Sequence, residues 1–184
     1  MNAHIENTHF NPQRTVAAER PVDADHLRAA LRTLGGGVSI ITAGEGEART
    51  GATVTSATAF SVEPARMLVS LNRASSTWPV VERYGHLGIN VIGAEHEGLA
   101  NQFAGRGGLR GPARYNGAEW TTAVSGAPLL ADAVAAIDCT VEEAIERHSH
   151  VLVIGKVLAI RIGAGRSLLY QDGRYHAVAV AGTG

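Results

Sequence analysis

AVAAIDCTVEEAIERHSHVLVIGKVLAIRI, residues 133–162, is the segment on which the architecture turns. Its first half, 133–147, carries the alanine and glutamate content of a helix. Ile137, Cys139 and Val141 nevertheless recur at every second position, the period of a strand that buries one face. RHSH then reads as a turn, and VLVIGKVLAIRI is a β-branched run that returns along the first half. The segment is therefore expected to form two long antiparallel strands rather than a helix followed by a strand.

Outward from this hairpin the chain continues in the same manner. VSIITA (38–43) is a short β-branched run, and ARTGATVTSATAF (48–60) alternates small and polar residues as one strand, with GEGE turning between them. RMLVSLN (66–72) and HLGINVIG (86–93) add two more strands. SLLYQDGRYHAV (167–178) closes with a hairpin at Asp172-Gly173. The helices are short. DADHLRAALRTL (23–34), capped by Asp23 or Asp25, puts Leu27, Ala30, Leu31 and Leu34 on one face and stops at Gly35-Gly36-Gly37. STWPVVERYG (76–85) and EHEGLANQFA (95–104) are the others. Strands dominate, and they do not alternate regularly with long helices. A closed antiparallel barrel with helical insertions fits better than a doubly wound parallel sheet.

With 184 residues, 45% of them hydrophobic, the chain suits one domain with a substantial core. Residues 1–22 show no clean period and read as an N-terminal arm, leaving 23–184 as the domain. A net charge of -1 and an aromatic content of 5% argue against nucleic acid as a partner. No apolar run approaches the roughly 20 residues needed to span a bilayer, and no signal peptide is evident, so a cytoplasmic location is expected. Cys139 is the single cysteine, which rules out an internal disulfide, and it lies in a core strand as a small hydrophobe rather than a nucleophile.

Several motifs fail on context. GEGEARTG leads from strand to strand and GRGGLRG follows a helix, whereas a dinucleotide fingerprint must run from strand to helix. His148 and His150 would share a strand face, but no zinc-like set of ligands surrounds them, so no metal is expected. Arg106, Arg110 and Arg114 either touch a ligand's tail or are simply solvated.

The informative stretch is SLNRASSTWPVVERYG (70–85), which runs from a strand end into a helix. A helix N-terminus offers unpaired N–H groups and partial positive charge. Asn72, Arg73, Ser75, Ser76 and Thr77 add side-chain donors and a cation there, which suits a phosphate monoester; plain capping by Ser75 or Ser76 is the competing reading. In TGATVTSATAFS (50–61) the small residues around Thr53, Thr55, Ser56 and Thr58 would let a flat ligand reach the backbone, or would simply face solvent on a half-exposed sheet. His150 opens a strand at a rim where it could face such a ligand.

The order GVSIITA, GATVTSATAFSVEPARMLVSLNRASST, GINVI, LANQFAG, GAPLLADAVAAIDC, SHVLVIGKV, LLYQDGRY resembles the flavin reductase family over residues 26–178. These are NAD(P)H:flavin oxidoreductases that supply reduced flavin to two-component monooxygenases. The resemblance implies a mainly β, Greek-key split β-barrel that binds FMN or FAD, uses NADH or NADPH, forms a homodimer and passes free reduced flavin to a monooxygenase component. By the same resemblance Thr53, Val54, Thr55 and Ser56 would line the isoalloxazine, and Asn72, Ser75, Ser76 and Thr77 would hold the ribityl chain and phosphate. Phe103, Ala104 and Gly105 would complete the pocket, Tyr170 and Tyr175 match the closing hairpin, and His150 would lie near the nicotinamide as the one catalytic position. Relatives often carry an acidic residue where this chain has Ser149. An amine oxidase of the pyridoxamine-phosphate type and a non-catalytic flavin- or haem-binding barrel are the alternatives.

Overall fold

The structure, a computed structural model, describes residues 21–178. The expected arm lies outside that range except for its last two residues.

The chain runs α1 (Ala24–Thr33), β1 (Gly36–Gly37), β2 (Ser39–Ala43), β3 (Thr50–Val54), β4 (Ala57–Ser61), β5 (Arg66–Asn72), α2 (Trp78–Tyr84), β6 (His86–Val91) and α3 (Glu97–Phe103). The short strands β7 (Trp120–Thr121) and β8 (Leu129–Leu130) follow, then β9 (Ala135–Arg147), β10 (His150–Ile162), β11 (Leu168–Gln171) and β12 (Arg174–Ala177). Segment 133–162 is thus a two-stranded hairpin, as its period-two pattern requires. Cys139 is buried in β9, with Ile137 and Val141 packed against the same core cluster.

Seven strands form one sheet in the order β3-β2-β6-β9-β10-β5-β4, every pair antiparallel. The fold is mainly β with short helices, as the sequence implies. One expectation needs correction: residues 48–60 are not one strand. The chain leaves the sheet at Thr55-Ser56, so β3 pairs with β2 at one edge and β4 with β5 at the other. The Ser56 hydroxyl fixes the crossing by donating to Ser70 O at 2.7 Å. Alternation marks a segment as extended but says nothing about which neighbour each half will find. Because two residues join its two edges, the sheet must curl upon itself.

β2 is buried on both faces, and its neighbours Ile40 and Ile41 point into different clusters. One cluster packs Val38, Ile40, Ile92, Phe103 and Tyr115 beneath α3. The other packs Ile41, Val69, Leu71, Val81, Leu87 and Cys139 against α2. Burial pushes the Cys139 thiol up to about 12, so it stays protonated and unreactive. A thiol-specific reagent at pH 8 should leave the folded protein unmodified and label it stoichiometrically in denaturant; labelling at equal rates would contradict this burial.

α1 is capped by Asp23, whose side chain accepts from Asp25 N–H at 3.1 Å. Its apolar face is not buried: Leu27, Leu31 and Leu34 remain 52%, 55% and 71% exposed. The helix is moored to the β11–β12 turn through Asp172 N–H to Arg32 O (2.9 Å) and Gln171 Nε2 to Thr33 O (2.8 Å). Gly36 and Gly37, expected only to stop α1, also pair with Tyr170 and Leu169. Among the described residues no helix is long and apolar enough to cross a membrane.

Candidate functional site

Thr53, Val54, Thr55, Ala104, Tyr170 and Tyr175 line a single cavity of about 230 Å³, together with Val38 and Arg106. Three segments far apart in sequence meet there for local reasons. Asp172 and Gly173 both have positive φ (47° and 79°), the requirement of a tight two-residue hairpin turn. The turn sets Tyr170 opposite Tyr175, with ring centroids 5.1 Å apart at 61°. Gly36 brings this hairpin against β3, since a Cβ there would stand 2.9 Å from Thr55 Cβ. Ala104 caps the C-terminus of α3, and the left-handed Gly105 (φ 83°) turns the chain so that Arg106 reaches the cavity.

β3 is an edge strand, and its first half is already covered. The Tyr115 hydroxyl donates to Thr50 O at 2.6 Å, and Arg114 Nη1 donates to Gly51 O. The second half, Thr53 onward, faces the cavity instead. Edge amides and carbonyls are strong hydrogen-bonding groups that need a partner, and a heterocycle rim supplies one. Two of the hydroxyls expected to contact a ligand have their protons committed elsewhere. Thr53 Oγ1 donates to Ala100 O (2.7 Å), and Ser56 donates to Ser70 O as above. Both can still accept. Burial raises the Tyr175 phenol, which holds it as a neutral donor near pH 7.

A second cluster lies at the C-terminal end of β5. Asn72 is the cross-strand partner of His150, so the sheet register brings the helix mouth and the histidine together. Asn72 Oδ1 accepts Ala74 N–H at 2.9 Å, and Ser75 Oγ accepts Trp78 N–H at 3.3 Å, leaving the Ser75 proton free. Ser76 is exposed. Thr77 is fully buried, and its hydroxyl has no partner among the described residues. A buried orphan donor beside two free hydroxyls fits an anion-bearing ligand. The cation expected there is not available: Arg73 pairs with Glu146 at 2.6 Å and donates to His148 O. Ser149 Oγ lies 2.9 Å from His150 Nδ1, so a hydroxyl contacts the ring. Ser56, bonded to the strand two residues before Asn72, links this cluster to the cavity.

Other expectations fall elsewhere. Phe103 does not line the cavity; it sits in the core because α3 buries Leu99, Ala100 and Phe103 on one face. Gly51 makes room for it, as a Cβ there would come within 2.7 Å of its ring. His148 adopts φ 50° in the β9–β10 turn rather than sharing a strand face with His150, and no metal-binding group of three residues occurs among the described residues. Arg114 is tied to the Leu109 and Gly51 carbonyls, so Arg106 is the member of the arginine trio that lines the cavity. Val38 was not placed in the cavity by any sequence pattern, whereas Arg106, one of three arginines that could touch a ligand's tail, does line it.

An antiparallel sheet whose two edge strands are joined by Thr55-Ser56 beside a tyrosine-walled cavity, with a hydroxyl-rich helix mouth alongside, is the architecture on which the chain's family can be judged. Residues 31–179 match the flavin reductase like domain, and the chain belongs to that family. It is 37% identical to the FMN reductase (NADH) RutF of Variovorax paradoxus (strain S110) over 153 residues, 83% of this chain and 84% of that one. The Streptomyces globisporus NADH:FAD oxidoreductase SgcE6, also solved with NAD and FAD fragments, superposes with TM-score 0.79 at 25% identity over 91% of this chain and 100% of that chain. BorF, the flavin reductase component of a bacterial two-component tryptophan halogenase, gives 0.77 at 25% identity over 85% and 98%.

Proposed function

We propose that this protein is an NADH-dependent flavin reductase that reduces FMN or FAD and hands the product to a partner oxygenase. The observation that carries the reading is the uncovered half of the β3 edge facing a cavity closed by Tyr170 and Tyr175, in a chain of this family. When bound, the flavin supplies the redox chemistry, accepting a hydride from the nicotinamide. The protein's part is positional. Amides of residues 53–56 bind the ring edge, and Arg106 adds positive charge where the reduced ring becomes anionic. The free hydroxyls of Ser75 and Ser76, with the buried Thr77, hold the ribityl phosphate.

His150, at the strand end beside Asn72, orients the nicotinamide carboxamide. His150→Ala should raise the NADH KM roughly tenfold, the worth of one good hydrogen bond, while the flavin KM stays within twofold. An unchanged NADH KM would remove His150 from the site. The reading as a whole is tested by following NADH absorbance with the purified protein, with and without added FMN or FAD. Flavin-dependent oxidation is expected, and its absence would leave a binding protein.

Reduced flavin leaving the site is the currency of two-component systems, which supports a flavin-dependent monooxygenase or related oxygenase as partner. A homodimer is supported by Phe60 and Val62, which are exposed at the β4 edge.

A further inference from the structure

A second cavity, of about 330 Å³, adjoins the first and shares Thr55 and Tyr170 with it. Its far wall is α1, which contributes Arg28, Leu31 and Arg32, and its floor is the β11–β12 turn with Asp172. Neither cavity alone is large within the roughly 300–1,000 Å³ usual for small-molecule sites, but a ligand spanning both would be nucleotide-sized or larger.

Arg28 and Arg32 stand four residues apart on one helix face, where like charges repel. Arg28 is partnered by Asp25 one turn earlier, whereas the Arg32 guanidinium has no partner among the described residues. Both line the same concavity, so an anion between them would relieve the repulsion. Asp172 faces the same space and disfavours a bare polyanion. A carboxylate there instead suits the hydroxyls of a ribose, as in other dinucleotide sites. Leu31 and Tyr170 supply apolar surface between the charged ends. Cations for a diphosphate, a carboxylate for ribose hydroxyls and an opening into the ring cavity together describe half of a dinucleotide.

We infer that this cavity seats the ribose-diphosphate of a dinucleotide, with the unpartnered Arg32 on the diphosphate and Arg28, shared with Asp25, at its edge, so that the ring end of the same molecule reaches the cavity of Tyr170 and Tyr175. The inference rests on the proposed flavin reductase activity for the identity of the dinucleotide, which is NADH or the adenylate half of FAD. The exposed positions make R28Q/R32Q a variant that folds.

With FMN as acceptor, a rise of about tenfold or more in the NADH KM of R28Q/R32Q, with a weaker dependence on ionic strength than in the wild type, assigns the cavity to the reductant. A comparable rise in the FAD KM alone, with the NADH and FMN constants unchanged, assigns it to FAD. Calorimetric titration with ADP-ribose, performed without flavin, should show at least tenfold weaker binding to the variant, independently of any activity. If the wild type oxidises NADH while all three quantities stay within twofold in the variant, the subsite is wrong and the reductase reading survives. If the wild type oxidises no NADH with any flavin yet ADP-ribose binding weakens in the variant, the reductase reading fails and the subsite stands. ADP-ribose that binds neither protein, with unchanged KM values, overturns it.

Discussion

Asp138→Ala is expected to lower the unfolding free energy by about 3–5 kcal/mol, because three donors lose their acceptor at about 1–3 kcal/mol each. Asp138 is completely buried in β9. Its carboxylate accepts the N–H groups of Val124 and Ser125 at 2.7 and 2.8 Å and the Ser125 hydroxyl. Ser125 in turn presents its carbonyl to His86 Nδ1 at 2.7 Å, and His86 Nε2 accepts Gly44 N–H at 3.3 Å. The single carboxylate thus ties the 122–128 loop to the start of β6 and the end of β2. Alanine would leave three donors of the part-buried Val124-Ser125 turn without their acceptor. Asp138→Asn retains one accepting oxygen and should cost about half as much. Urea denaturation of the two variants measures both values. A loss under 1 kcal/mol for alanine would mean that the loop finds water instead.

Ala104→Trp should weaken flavin use roughly a hundredfold while sparing the fold. Ala104 is exposed at the end of α3, so a larger side chain meets no core, and stability should change by about 0.5 kcal/mol at most. Ala104 lines the cavity of about 230 Å³, much of which an indole would occupy. A ligand that loses most of its ring contacts loses about 3 kcal/mol, so the KM for FMN should rise roughly a hundredfold. Thermal denaturation and NADH oxidation measured on the same preparation separate the two effects. Wild-type kinetics at unchanged stability would move the ring elsewhere.

Much of this was legible beforehand because period is a local property. Ile137, Cys139 and Val141 made β9 a strand despite its helix-favouring alanines and glutamates, and Asp172-Gly173 announced its turn. The convergence of Thr53–Thr55, Ala104, Tyr170 and Tyr175 followed from the family resemblance, not from any spacing. What stayed hidden depends on partners distant in sequence. Nothing in 48–60 reveals that its halves pair at opposite edges, since either neighbour satisfies the same alternation. The charge of Arg73 looked available until β9 brought Glu146 beside it. Phe103 shares a motif with Ala104 and Gly105, but one residue's rotation along α3 separates core from cavity wall. The second cavity is built from α1 and from a turn about 140 residues later, a juxtaposition created by the β1–β11 pairing and the two hydrogen bonds that moor α1 to the turn.

The Thr55–Ser56 crossing has a consequence for how the molecule holds itself shut. Within the described residues no ladder bridges β3 to β4, so the sheet resembles a cuff fastened at one point, and that fastening borders the binding cavity. On the proposed function, an occupant bound to both the β3 rim and the end of β5 would act as a clasp across the gap. Flavin-saturated protein should then melt above the empty protein, because a ligand that binds only the folded chain raises its apparent stability.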